Sequence, residues 1–324
     1  MGSEITRLNN FNSIIRYRKV SKVFGNKLVI NDLNLDINRG EIFGLIGGSG
    51  AGKTTILKML IGFIEPEDGK IEIRSNSDHW ISMSHDLDEV KSVIGFASQI
   101  PSFYGNLTVY ENLLYFSSLY KMEKNIRKSN INVVLEIVGL KESRNEHAEN
   151  LSGGMKKRLD IACSLIHEPE VLVLDEPTSD LDPLLRRQMW DLIKRINERG
   201  TTIIMSSHFL DEIEAICDRV GMIHDGKIIE IGTPGEIKGR YTDHDVISII
   251  TRSGNYKKIV SDLSNFKKEI KKIEVNDKKI IFYCDGAEKI VLPLLESIKK
   301  NNEILVDIEI KKSSLDKVFE IIGR

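Results

Sequence analysis

A chain of 324 residues exceeds the usual size of one domain, which predicts a large domain accompanied by a smaller one. Hydrophobic residues at 41% and charged residues at 29% exclude a disordered chain, and a formal net charge of −2 gives no global pull towards nucleic acid or an anionic membrane. The three cysteines, Cys163, Cys217 and Cys284, form no metal-like pair and point to a reducing, cytoplasmic compartment. Residues 1–12 lack the basic-then-apolar order of a signal peptide, and no apolar run reaches the ~18 residues of a membrane span. Any membrane role is therefore expected to come through a partner.

In chain order, residues 14–46 alternate, as in Leu33-Asn34-Leu35-Asp36-Ile37, and predict short strands. The last of these, 41–46, is apolar and runs into a Gly-rich turn. A helix is expected over 54–62, a turn at Pro66-Glu67-Asp68-Gly69, and a strand over 70–73. Residues 108–139 carry apolar side chains at helical spacing (Val109, Leu113, Phe116, Tyr120). Val171-Leu172-Val173-Leu174 is apolar on both faces, which predicts a buried parallel strand. A helix over 183–199, a strand over 202–205 and a helix over 209–217 complete an alternation that implies a mostly parallel sheet covered by helices.

Composition shifts near Gly239-Arg240-Tyr241. Beyond it the expected order is a strand (246–251), a helix (256–266), a hairpin (272–284) turning at Asn276-Asp277, a helix (288–300), a strand (304–310) and a short closing helix. The order βαββαβ predicts a small ferredoxin-like α+β module. Its Lys-Lys pairs are interleaved with acids and read as a solvated surface.

The chemistry begins at Gly47-Gly48-Ser49-Gly50-Ala51-Gly52-Lys53-Thr54, followed by Thr55. A strand before this loop and a helix after it make it a phosphate loop, in which backbone N–H groups and a helix N-terminus converge on a triphosphate. Lys53 would neutralise the terminal phosphates, and the Thr54 hydroxyl would hold Mg²⁺. A glycine turn that happens to precede Lys-Thr is the plain alternative, and the bare pattern arises by chance in roughly one chain in a hundred of this length. Asp175-Glu176 ends the apolar strand, where one acid can reach Mg²⁺ and its neighbour can deprotonate an attacking water. Alone, that pair would read as a cap before Pro177; with a phosphate loop in the same sheet, the catalytic reading is favoured. Leu151-Ser152-Gly153-Gly154-Met155 opens a helix, and by spacing alone Ser152 is an ordinary N-cap.

Taken together, residues 47–54, Gln99, 151–154, 171–176, 179–182 and His208 resemble, in order, the motifs of the nucleotide-binding protein of ABC transporters. The resemblance covers about residues 14–239 and implies a P-loop ATPase fold with antiparallel β and helical subdomains, the helical one over about 100–168. Residues 241–324 are expected to form an accessory domain. In that family two cassettes form a head-to-tail sandwich around two ATP molecules, so the resemblance implies a homodimer. Ser152, Gly153 and Gly154 then become the signature that contacts the γ-phosphate held by the other subunit. Gln99 resembles the residue linking Mg²⁺ and the γ-phosphate to the membrane partner, and His208 the switch histidine at the γ-phosphate. Asp182 would lie in the loop that signals between the two sites, and Phe24 resembles the aromatic that stacks on adenine. The family also implies ATP and Mg²⁺ as ligands, a separately encoded integral membrane permease as partner, no nucleic acid, and a peripheral place at the inner face of the cell membrane.

Met155 departs from the usual Gln of the signature, a change associated with the drug- and lipid-export branch. Asp180 stands where Ala or Gly is usual. Ser314-Leu315-Asp316-Lys317-Val318-Phe319 is similar to the ending of drug-export ATPases with a small C-terminal domain, although an amphipathic closing helix explains the same residues. The leading expectation is the energy-coupling ATPase of a membrane exporter. The alternatives are a soluble ABC protein of translation or repair, and an ATP-gated module without turnover. Translation members carry two cassettes, repair members a long coiled coil, and gated modules often lack the acid found here at Glu176.

Overall fold

The structure is a computed structural model that describes residues 12–74, 79–83, 86–241, 245–254, 256–266, 268–276 and 279–312. The chain divides into two compact units, with the break in sequence between Thr233 and Pro234.

The first unit opens with β1 (Ser13–Phe24), β2 (Lys27–Asn38), β3 (Ile42–Gly47), α1 (Lys53–Leu60), β4 (Asp68–Arg74) and β5 (Trp80–Ser82). It continues through α2 (Leu87–Val93), β6 (Ile94–Ala97), α3 (Val109–Leu119), α4 (Lys124–Val138), α5 (Gly153–Leu165) and β7 (Val171–Asp175). It closes with α6 (Pro183–Asn197), β8 (Thr202–Ser207), α7 (Leu210–Ile216), β9 (Arg219–His224) and β10 (Lys227–Gly232).

These strands form two sheets. The antiparallel one has the order β2-β1-β4-β5. Here the expectation of short strands is corrected, since β1 and β2 are 12 residues each. Their alternation is interrupted by register shifts between Tyr17 and Val20 and between Val20 and Lys22, so the period slips within one long strand. The expected turn at 66–69 is also shorter, because Asp68 and Gly69 already belong to β4.

The second sheet has the order β10-β9-β3-β8-β7-β6, parallel from β9 to β6 with β10 antiparallel at the edge. Every residue of β3, β7 and β8 is buried, which is why these strands read as unbroken apolar runs. Between the sheets Tyr17, Phe43, Leu45, Ile56 and Val173 share one core. Helices α3, α4 and α5 pack on one another as the helical part of this unit. α3 begins with a capping box, Thr108 accepting from the Glu111 N–H while the Glu111 carboxylate accepts from the Thr108 N–H.

The second unit comprises α8 (Pro234–Tyr241), β11 (Asp245–Thr251), α9 (Lys257–Asp262) with a 3-10 turn (Leu263–Phe266), β12 (Ile270–Asn276), β13 (Lys279–Cys284), α10 (Ala287–Lys300) and β14 (Leu305–Lys312). Its antiparallel sheet has the order β12-β13-β11-β14, the ferredoxin-like arrangement. Ile247, Ile249, Ile259, Phe282, Ile290 and Leu294 form a core of its own. Asp262 at the end of α9 accepts hydrogen bonds from Lys300, Ser297 and Asn301 of the α10 end, which hold its carboxyl down to about 2. Asp277 of the expected turn and the expected closing helix around 314–319 lie outside the described residues. The cysteines are free and buried, and among the described residues no helix is long and apolar enough to cross a membrane.

Candidate nucleotide site

Strand β3 ends at Gly47 and α1 starts at Lys53, so the loop between them turns at the carboxyl edge of the parallel sheet, where such sheets bind ligands. Gly50 (φ 77°) and Gly52 (φ 108°) take left-handed backbone, and a Cβ on Gly52 would stand 2.5 Å from Ile30 Cδ1. The Ala51 N–H bonds the Gly48 carbonyl at 3.2 Å and closes the loop. Lys53 is 6% exposed and donates to the carbonyls of Gly47 (2.8 Å) and Gly48 (3.2 Å). Burial draws its pKa down, while Glu176 and Asp175 push it up.

Two strands away, Asp175 ends β7 and is buried. Its Oδ1 accepts from Ser206 Oγ at 2.6 Å and from Thr54 Oγ1 at 3.2 Å, tying β7 to β8 and to the phosphate loop. Glu176 follows with φ 51°, a left-handed conformation that costs a bulky residue about 1–2 kcal/mol. Its N–H is held by Ser206, at 3.2 Å from the carbonyl and 3.0 Å from Oγ. The turn aims the Glu176 carboxylate at His208, whose Nδ1 lies 3.2 Å from Oε2.

One cleft of 630 Å³ is lined by Ser49, Gly50, Ala51, Gly52, Lys53, Thr54, Thr55, Gln99, Glu176 and His208, with Gly47, Gly48 and Asp175 outside its lining. Gln99 is exposed, and its carbonyl accepts from Lys157 Nζ at 2.7 Å. The remaining expected residues stand elsewhere. Phe24 is 47% exposed at the end of β1, and Val29 of β2 lines the cleft in its place. Ser152 and Gly153 are exposed at the start of α5 and Gly154 is buried there, with Ser152 Oγ accepting from the Met155 N–H at 3.3 Å. None of the three lines the cleft of its own chain. Asp182 caps α6 by accepting from the N–H groups of Leu184 (3.0 Å) and Leu185 (2.9 Å). Asp180 has φ 64°, a conformation that Asp tolerates better than most side chains.

Sequence reasoning missed Ser206, Lys157 and Glu212. Lys157 bonds the Gln99 carbonyl and lies 3.5 Å from Ser179 Oγ, so the helix behind Ser152 reaches two loops of the site.

The comparisons with known proteins bear on the same stretch. The family model described as ABC transporter matches residues 30–179. The linearmycin resistance ATP-binding protein of Bacillus subtilis is 30% identical over 312 residues, 96% of this chain and 99% of that protein. The chain belongs to the ABC transporter ATP-binding proteins. This ABC ATPase therefore binds and hydrolyses ATP. It is also 42% identical over 219 residues to the bacitracin transport ATP-binding protein of Bacillus licheniformis, 67% of this chain and 69% of that one. Among solved structures, cbiO1 of Clostridium perfringens, part of the transporter complex cbiONQ, superposes with a TM-score of 0.65 at 27% identity. That match covers 70% of this chain and 91% of that one.

The cap at Asp182 gives a stability expectation for the ABC ATPase. Asp182→Ala frees two N–H groups at the start of α6 and is expected to cost about 1 kcal/mol, read as a lower urea midpoint. An unchanged midpoint would mean that water replaces the cap.

Proposed function

We propose that this ABC ATPase energises a membrane exporter, hydrolysing Mg-ATP at sites shared by two copies of the chain. The observation that carries the reading is the Glu176 carboxylate, turned by a left-handed backbone against His208 beside the phosphate loop. The triphosphate lies along residues 48–55, where loop N–H groups and the start of α1 favour anions. Lys53 leaves the carbonyls of Gly47 and Gly48 for the terminal phosphates.

Asp175 and Thr54 suit Mg²⁺, since a buried carboxylate beside a hydroxyl is a hard oxygen donor set and Mg²⁺ is usually held by one or two carboxylates plus phosphate oxygens. Gln99, exposed in the same cleft, would complete the protein ligands. When bound, the ion supplies positive charge to the phosphate oxygens.

Glu176 accepts a proton from a water whose oxygen bonds to the γ-phosphorus as the bond to the ADP oxygen breaks. His208 contacts the γ-phosphate and holds the Glu176 carboxylate in place. Ser152, Gly153 and Gly154 do not line the cleft of their own chain, and the exposed end of α5 is free to complete the site of a second copy. ATP binding then closes the pair, and hydrolysis reopens it.

Export follows from the relatives, which are named for antibiotic resistance and transport. The permease would dock beside the γ-phosphate sensor, where Tyr104 is 46% exposed and stacks edge-on with Tyr115 at 5.0 Å. Asn112 fixes this loop by accepting from the Tyr104 N–H at 2.8 Å and donating to the Tyr104 carbonyl at 2.9 Å. Docking there places the ATPase peripherally at the inner membrane face, and the accessory domain steadies the dimer or tunes coupling. Replacing Phe103 and Tyr104 together by Ser is expected to spare the basal ATPase, release the protein from membranes and abolish transport. Full transport by a membrane-bound double variant would place the docking surface elsewhere.

A further inference from the structure

Behind the cleft lies a carboxylate that no step above uses. Glu212, in the first turn of α7, is 0% exposed. Its oxygens accept from three separate elements. Thr178 Oγ1 (3.0 Å) and Ser207 Oγ (2.5 Å) bond Oε2, and Trp190 Nε1 (3.0 Å) bonds Oε1. Burial pushes the Glu212 carboxyl up, against these bonds and the nearby Arg186 charge.

The positions of the partners give the cluster its meaning. Thr178 stands two residues after Glu176, and Ser207 immediately precedes His208. Ser207 Oγ also accepts from the Phe209 N–H at 3.0 Å, closing the turn that carries His208. On the other side of that turn, the Arg186 guanidinium lies 3.8 Å over the Phe209 ring, which packs 4.0 Å from the His208 ring. Arg186 and Trp190 are one turn apart on α6, so a single helix face braces both the carboxylate and the histidine turn. A buried carboxylate is an expensive core residue, and an apolar one in its place would leave three donors unsatisfied.

We propose that Glu212 is a positioning residue, whose one buried carboxylate ties the segment carrying Glu176 to the segment carrying His208 and so sets the contact between them. The inference rests on the proposed roles of Glu176 and His208. Misplacing a reacting group by about 1 Å lowers a rate by about 100-fold, so loosening this tie reduces turnover without touching the phosphate loop.

The test uses the full chain and measures kcat, KM and the affinity for a fluorescent ATP analogue. The His208 ring signal is followed by NMR on ¹³C-histidine protein and assigned by its loss in His208→Ala. Ser207→Ala and Thr178→Val each cut one link with little change of volume. Each is expected to lower kcat by about tenfold while KM and nucleotide affinity stay within about twofold, and Ser207→Ala to shift the His208 signal. Glu212→Ala is expected to lower kcat by about 100-fold. Glu212→Gln retains kcat within about threefold, because its amide oxygen can accept from Trp190 and its NH₂ can donate to the two hydroxyl oxygens. If Glu212→Ala does not fold, the two hydroxyl variants decide. Wild-type kcat in both would overturn the inference, as would a loss of kcat matched by an equal loss of nucleotide affinity and thermal stability. Normal hydrolysis by Glu176→Gln would instead overturn the reading on which it rests.

Discussion

Lys53→Ala is expected to abolish ATP hydrolysis by the purified chain and to weaken Mg-ATP binding by about 100-fold or more. Lys53 is almost wholly buried, its ammonium donating to the carbonyls of Gly47 and Gly48, and burial draws its pKa down against Glu176 and Asp175, which raise it. Removing it leaves these two acids facing an incoming polyanion with no lysine charge between them, so repulsion adds to the lost contact. Phosphate release and calorimetric titration with Mg-ATP read the two effects separately. Unchanged turnover would remove the phosphate-loop assignment and return residues 47–54 to a glycine turn.

Glu176→Gln separates binding from chemistry. The amide keeps the side chain's shape and a donor–acceptor pair for His208, but it does not accept the water's proton. Phosphate release is expected to fall by about 10³-fold while ATP still binds. With hydrolysis stopped, the closed state has no exit, so light scattering with Mg-ATP is expected to give about twice the 36.8 kDa of one chain. Adding Ser152→Arg to the same chain is expected to keep it monomeric, because a bulky cation then stands at the exposed start of α5. A doubly substituted chain that still dimerises with ATP would show that the signature does not cross the interface.

The legible parts of this protein were those whose chemistry is local in sequence. The phosphate loop needs a strand, a glycine turn and a helix in succession, and all three lie within residues 42–60. β7 announced itself because burial on both faces demands an unbroken apolar run. Ser152 reads as an N-cap from residue type and does cap a helix, whereas the cap that Asp182 makes on α6 emerges only in the structure. Their proposed part at a shared interface came only from resemblance. The long strands β1 and β2 were obscured by bulges, with Lys19 at φ 51° and Asp32 at φ 50° shifting the alternation partway. The residues that hold Asp175 and His208 from behind were invisible for a different reason. Ser206 lies 31 residues from Asp175 and Glu212 lies 34 from Thr178, separations that no local pattern encodes. Phe24 and Val29 show a further limit, since an apolar side chain facing a cleft and one facing solvent look alike in sequence.

The most direct measurement of the central claim is phosphate release from Mg-ATP by the purified wild-type chain and by Glu176→Gln, side by side at saturating nucleotide. The expected result is steady turnover by the wild type and release at least 100-fold slower by the variant, with equal ATP bound by both. Release at the same rate from both would contradict the assignment of Glu176 as the base, and with it the chemistry proposed for this cleft.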